Sequence, residues 1–188
     1  MGYHRGVSIH FHMIDINLLF EKGQLQQGMH IADFGCGRTA HVVLPAARIV
    51  GEKGIVYAVD IMKDIIHEVD KRAKDNGFFN VQPVWADLER IGASHIPNKS
   101  LDVGFLVNTL VQSNNRHAIL EECARLLKDK ARLIIVDWSK KGLRFGPQDG
   151  RFVDFQDIKD WAKMRGFVVQ EEFICGPYHS GIVLYRNQ

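Results

Sequence analysis

A chain of 188 residues, 46% hydrophobic and 24% charged, is the size of one globular domain and long enough to bury a substantial core. Its 24 basic and 22 acidic residues leave a formal charge of +2, and the basic clusters Lys71, Arg72, Lys74 and Lys140, Lys141, Arg144 are interspersed with acids, so they read as solvated faces rather than as a nucleic-acid footprint. No apolar run approaches the roughly 18 residues needed to span a bilayer, the N-terminus lacks a signal-peptide core, and MGYHRG fails the myristoylation pattern at Gly6, so the cytoplasm is the expected location.

The first predicted element is a short helix over Asp15 to Lys22, ended by Gly23. It belongs to an N-terminal segment, residues 1–28, that precedes a single domain over residues 29–188. A strand follows at Met29 to Phe34 and runs into the glycines of IADFGCGRTAHVV. Glycine has no Cβ, so a glycine-rich corner between strand and helix brings bare N–H groups and a positive helix end up to a ligand. Gly35, Gly37 and Ala40 satisfy the loose pattern G-x-G-x-x-G/A, which by itself does not choose between NAD and other nucleotides. Pro45 cannot donate a helical hydrogen bond, so the next helix is either irregular until about Leu44 or kinked.

Further strands are predicted at Ile55 to Asp60, Val81 to Ala86, Leu101 to Val107 and Ala131 to Asp137. Between them, Met62, Ile65, Ile66, Val69 and Ala73, and later Leu120, Ala124 and Leu127, recur at helical spacing; after Asp154 so do Ile158, Trp161, Ala162 and Arg165. Alternating strands and helices mark a parallel sheet covered on both faces. FVVQEEFI and GIVLYR, separated only by CGPYHS, are predicted to close the chain as an antiparallel hairpin. The fold class is therefore α/β, a doubly wound, seven-stranded, mostly parallel sheet.

Four segments in order carry a specific likeness: DFGCG at Asp33 to Gly37, VYAVD at Val56 to Asp60, WADLE at Trp85 to Glu89 and DVGFLVNTL at Asp102 to Leu110. With them the chain resembles the class I S-adenosylmethionine-dependent methyltransferases, and is similar to the small stand-alone members of ubiquinone and menaquinone biosynthesis. The resemblance implies a Rossmann-like methyltransferase fold, S-adenosylmethionine as cofactor and a small-molecule methyl acceptor. Each segment ends a successive strand, where ligands of open α/β sheets bind.

An acid ending the second strand can accept both ribose hydroxyls, and Asp60 is so placed, with Ile61 and Met62 as an apolar wall for the adenine. In the resembling family, a carboxylate such as Asp87 accepts the adenine amino group, beside Ala86 and the Leu88 amide. An acid such as Asp33 organises the glycine loop and the cofactor's amino group. Gly35, Cys36 and Gly37 form the turn, with Cys36 a small filler and not a nucleophile. The family's further glycine is replaced by Thr39, whose side chain either crowds the methionine end of the cofactor or caps the next helix.

Asn108, ending the fourth strand, resembles the family position near the methyl group and acceptor. The turn GPYHSG lies beside the predicted substrate pocket, so Tyr178 is expected to wall it and His179 to orient or deprotonate the acceptor. Its plain alternative is a polar hairpin tip. The loop SKKGLRFGPQDGRFV is long and glycine-rich, which suits a substrate-side lid. His4, His10 and His12 match no ligand spacing, so no metal is expected, and their segment is a candidate cover for the site. Cys36, Cys123 and Cys175 are widely spaced and odd in number, which argues against disulfides or zinc. Two readings from other classes compete: a nicotinamide-dinucleotide reductase and a noncatalytic S-adenosylmethionine-binding module. An RNA or protein methyltransferase is disfavoured, since no basic module is appended.

Overall fold

The computed structural model describes residues 13–141 and 144–187. The chain runs α1 (Ile16–Gly23), β1 (His30–Phe34), α2 (Val43–Val50), β2 (Ile55–Asp60), α3 (Lys63–Asp75), β3 (Val81–Trp85), β4 (Leu101–Val107), α4 (Arg116–Leu126), β5 (Leu127–Trp138), α5 (Phe155–Met164), β6 (Phe167–Ile174) and β7 (His179–Arg186). The strands form one seven-stranded sheet in the order β3-β2-β1-β4-β5-β7-β6. Only β7 runs against the others, pairing antiparallel with both β5 and β6. The expected doubly wound sheet with its closing hairpin is thus the fold. Chain order reverses between β1 and β4, and a crevice opens at their carboxyl ends.

Two apolar layers cover the sheet. On one side Leu120, Cys123, Ala124, Ile158 and Trp161 pack on Ala32, Phe34, Leu106, Leu133 and Leu184. On the other Leu19, Phe20, Val43, Ala47 and Val69 pack on Ile31, Val56, Phe105 and Ile134. Alternate residues of each strand serve opposite layers, and this is why the central strands read as unbroken apolar runs. Leu19 and Phe20 place α1 within the second layer.

Several boundaries differ from expectation for local reasons. Asp15 caps α1 by accepting from the Leu18 N–H at 3.2 Å, but the left-handed residue closing it is Gln24, at φ 51°, not Gly23. Gly23 is needed for space, because a Cβ there would approach Leu25 Cδ1 to 2.9 Å and the Phe105 ring to 3.2 Å. The stretch after the glycine turn stays irregular until α2 begins at Val43, so Pro45 falls in the first helical turn, where its missing N–H has no intrahelical partner to lose. β5 starts directly from α4 at Leu127, four residues before the predicted Ala131. It absorbs the excess in a register shift against β4, with Lys130 at φ 63°. The three cysteines are buried and unpaired.

Candidate active site

Two adjoining cavities open at the carboxyl edge of the sheet. The first, about 320 Å³, lies over the ends of β1, β2 and β3. Its floor is the glycine turn. Gly35 sits at φ 83°, and a Cβ there would meet Thr109 Oγ1 at 2.7 Å; Thr109 is held in place by donating to the Phe34 carbonyl, also at 2.7 Å. Gly37, at φ 61°, has nothing within 4 Å of its Cβ position and faces open space. Asp60 ties the turn to β2: one carboxylate oxygen accepts from the Gly37 N–H and the other from the Met62 N–H, each at 3.0 Å. The walls are apolar (Ile61, Met62, Ile65, Ala86, Leu88), and Asp87 and Glu89 supply further carboxylates.

Asp87 accepts from the Glu89 N–H at 3.0 Å, which sets the turn after β3. Glu89 reaches across to the loop before α4, accepting from Ser113 Oγ at 2.7 Å and the Asn114 N–H at 2.9 Å, and these bonds hold its carboxyl below the usual range. Beneath the turn Asp33 is 2% exposed; burial, with the charge of Asp60 added, pushes its pKa up to about 7. Burial and the same two carboxylates raise the Cys36 thiol, which leaves no thiolate at neutral pH.

The second cavity, about 600 Å³, lies over the ends of β4 and β5 and is lined by Asn108, Val111, Gln112, Trp138, Pro147 and Arg151. Gln112 is common to both cavities. Asn108 is held left-handed at φ 55°, and its Oδ1 is buried without a hydrogen-bond partner among the described residues. Asp137, fully buried behind it, anchors the short 3₁₀ turn Leu110–Gln112 by accepting from the Val111 N–H at 3.1 Å; burial raises its pKa to about 6. Two arginines clamp the loop before α5 over this end. Arg116 donates to the Leu110 and Phe152 carbonyls at 3.0 and 3.1 Å, and Arg151 to the Gln112 carbonyl and Asn114 Oδ1 at 2.7 and 2.9 Å.

Of the residues singled out in the sequence, Gly35, Gly37, Asp60, Ile61, Met62, Ala86, Asp87 and Leu88 come together around the first cavity. Asn108 lines the second. Cys36 is buried in the core beside the turn. Thr39 lies elsewhere, in a hollow lined also by Ile14, Asp15, His41 and Leu44. It neither crowds the cavity nor caps α2, whose cap is Val42 without a side-chain bond. Instead its hydroxyl pairs with His41 Nδ1 at 2.8 Å. The variant Thr39→Gly is therefore expected to bind S-adenosylhomocysteine within about twofold of the parent while losing about 0.5–1 kcal/mol of stability through added backbone freedom. Calorimetry and thermal melting check the two together.

His179 and Tyr178 are also placed differently. His179 is the first residue of β7, 1% exposed, and so is not a polar tip; neither ring nitrogen has a partner of ordinary geometry among the described residues. Its ring lies 4.5 Å from that of Trp138, which lines the second cavity, whereas His179 does not. Burial lowers its pKa, opposed by the nearby Met13 backbone. Tyr178 stacks on Trp138 at 6.3 Å and, like His179, is not among the residues lining the second cavity. The segment of His4, His10 and His12 lies outside the described residues. Among the described residues no group of three metal-ligating side chains converges.

Sequence reasoning missed Thr109, Glu89, Gln112, Arg116 and Arg151. Glu89 stood within the quoted WADLE, but its partners Ser113 and Asn114 are 24 and 25 residues away, a pairing no local pattern reveals.

The sequence pattern of the family described as "Methyltransferase domain" matches residues 25–176, a span that contains both cavities. The chain belongs to this methyltransferase family. Among curated relatives, aklanonic acid methyltransferase DauC of Streptomyces sp. (strain C5) is 37% identical over 76 residues, covering 40% of this chain and 33% of the relative. The ubiquinone/menaquinone biosynthesis C-methyltransferase UbiE of Shewanella pealeana is 27% identical over 135 residues, 71% of this chain and 52% of the relative. The chain thus spans a third to a half of the length of these two relatives. A crystal structure of an S-adenosylmethionine-dependent methyltransferase from Aquifex aeolicus superimposes with a TM-score of 0.80 at 25% identity, covering 92% of this chain and 90% of that one. S-adenosylmethionine is the cofactor of this family, and neither the family nor these relatives favour the nicotinamide-dinucleotide reading.

Proposed function

We propose that this methyltransferase-family chain transfers a methyl group from S-adenosylmethionine, held in the first cavity, to a small molecule held in the second. The observation that carries this reading is the Asp60 carboxylate, bonded to the Gly37 amide on the rim of the first cavity beside an open glycine. The donor set fits the cofactor. Each Asp60 oxygen receives one N–H and keeps acceptor capacity for a ribose hydroxyl. Ile61, Met62, Ile65, Ala86 and Leu88 suit a purine face, and Asp87 is placed to accept its amino group. Asp33 beneath the turn attracts the ammonium, and the unpartnered Asn108 Oδ1 awaits a donor on the far side.

When bound, S-adenosylmethionine would supply an electrophilic methyl group, with the acceptor providing the electron pair of the new bond. The chain's part is to position and to exclude water. The Arg116 and Arg151 clamps close the loop over the second cavity, and Gln112 forms the wall between the two sites. Asn108 orients the attacking atom. His179 and Tyr178 fix the plane of Trp138, and we place them as positioning residues. We propose the cytoplasm as its location, since its three unpaired cysteines suit a reducing compartment.

Calorimetry with S-adenosylhomocysteine and with NADH, followed by transfer of a labelled methyl group to a panel of acceptors, tests the reading. Binding of NADH alone would overturn it, and cofactor binding without turnover on any acceptor would favour the noncatalytic module. With an acceptor in hand, His179→Ala is expected to lower turnover about tenfold through a loosened Trp138, and to leave the pH profile unchanged. A profile that loses one limb in the variant would instead make His179 the base.

A further inference from the structure

The glycine turn at the floor of the first cavity is fastened from outside, by a side chain that does not line that cavity. We infer that Arg72, on α3, is a positioning residue for the cofactor: it holds the segment Gly37 to Ala40 in the shape that keeps the Gly37 N–H on Asp60, and so sets the carboxylate that meets the ribose. The inference rests on the proposed seat of S-adenosylmethionine at Asp60.

The segment has little reason to keep its shape alone. Ala40 sits at φ 47°, a left-handed conformation that is unfavourable for a residue with a Cβ. Within the segment the Ala40 N–H reaches the Gly37 carbonyl only at 3.3 Å, a long bond. A backbone held in so sparsely populated a region persists where its surroundings fix it.

Arg72 supplies that fixing. Its Nη1 donates to the Arg38 carbonyl at 2.8 Å and to the Thr39 carbonyl at 3.0 Å, the two peptide units directly before Ala40. Arg72 closes a stripe of α3, in which Asp64, Glu68 and Arg72 follow at intervals of four and so share one helix face. Arg38 reaches back to the same face, donating from Nη2 to Asp64 at 2.5 Å and from Nη1 to Glu68. Those ion pairs are exposed and contribute little in water. The bonds of the half-buried Arg72 are charge-assisted and grip the backbone itself, which makes Arg72 the principal fastening.

The fastening bears on the cofactor through one amide. The Gly37 N–H, next to the clasped Arg38, donates to one Asp60 oxygen at 3.0 Å, while the other oxygen takes the Met62 N–H. Gly37 has nothing within 4 Å of its Cβ position, so no packing of its own keeps it in place. Release of Arg38 and Thr39 frees Gly37 to leave Asp60, which then loses one of the two bonds that orient its carboxylate.

Calorimetry with S-adenosylhomocysteine on the parent, Arg72→Met, Asp60→Ala and the double variant tests the inference. Arg72→Met keeps the stem of the side chain and removes its donors. It is expected to weaken binding about tenfold in the parent background and less than about threefold in the Asp60→Ala background, where the carboxylate that the turn positions is already gone. Arg72→Lys is expected to recover part of the loss, since an ammonium still donates to a carbonyl. A role in packing alone would give equal losses in the two backgrounds; that result, or an Arg72→Met affinity within about twofold of the parent, overturns the inference. The ligand-free parent gives an independent measurement that needs no variant. Exchange of its Gly37 amide proton, followed by NMR, is expected to be at least about tenfold slower than in an unstructured chain, and exchange as fast as in such a chain overturns the inference even if Arg72→Met does not fold. Failure of the parent to take up S-adenosylhomocysteine, or unchanged affinity in Asp60→Ala, would instead sink the cofactor seat on which the inference rests.

Discussion

Replacing Asp60 with alanine is expected to weaken S-adenosylhomocysteine binding by about 1.5–3 kcal/mol, roughly 10- to 150-fold, the range for hydrogen bonds to a charged group. The carboxylate acts twice. It holds the Gly37 and Met62 amides in place, and it keeps acceptor capacity pointed at the cavity. Its removal leaves both amides at the rim of an open cavity, where water can replace the lost acceptor. The fold should therefore survive, with a melting temperature within a few degrees of the parent. Asp60→Asn separates the two roles, since an amide oxygen still accepts one N–H but no longer offers a second charged oxygen to a ribose hydroxyl. A folded Asp60→Ala protein with unchanged affinity would remove Asp60 from the cofactor site.

The elements and the first cavity were legible in the sequence because both rest on local chemistry. Central strands such as Val56 to Val59 are apolar, and an acid stands at the end of β2 or just past the end of β3, at Asp60 and Asp87. Gly35 was legible for the same reason: its positive φ and its contact with Thr109 tolerate no side chain. The second cavity was legible only in part: Asn108 and the loop that carries Pro147 and Arg151 stood out in the sequence, whereas Val111 and Gln112 did not, since Gln112 is joined to that loop by the bond from Arg151 to its carbonyl, 39 residues apart. Thr39 shows the converse failure. Counting along the glycine motif put it at the ligand, but the left-handed residue after Gly37 is Ala40, at φ 47°, and the backbone there turns Thr39 towards His41 instead. His179 was misplaced because a hairpin tip and the first residue of a buried strand read alike when the turn is short.

Asp33 makes cofactor binding depend on pH in a direction set by its burial. In the free protein its carboxyl titrates at about 7, raised first by burial and then by the charge of Asp60. Two opposite consequences follow. For folding, the native state binds the proton more tightly than the unfolded chain does, so the contribution of Asp33 to stability is full below about pH 4 and is lost as pH rises through about 7. For binding, only the ionised form attracts an ammonium group. S-adenosylhomocysteine affinity is therefore expected to rise up to about tenfold per pH unit below pH 7 and to level off above it, with release of close to one proton per ligand bound at the acid end. Calorimetry between about pH 5.5 and about pH 8, in two buffers of different ionisation enthalpy, measures both the affinity and the proton count. Asn in place of Asp33 should flatten the profile, because the amide does not titrate in this range. Its melting temperature should also lose the decline towards neutral pH, since the two effects share one carboxyl. If the parent binds equally well across the range and releases no proton, Asp33 does not face the cofactor's ammonium group, and its burial beneath the turn serves only to shape the loop between Phe34 and Gly37.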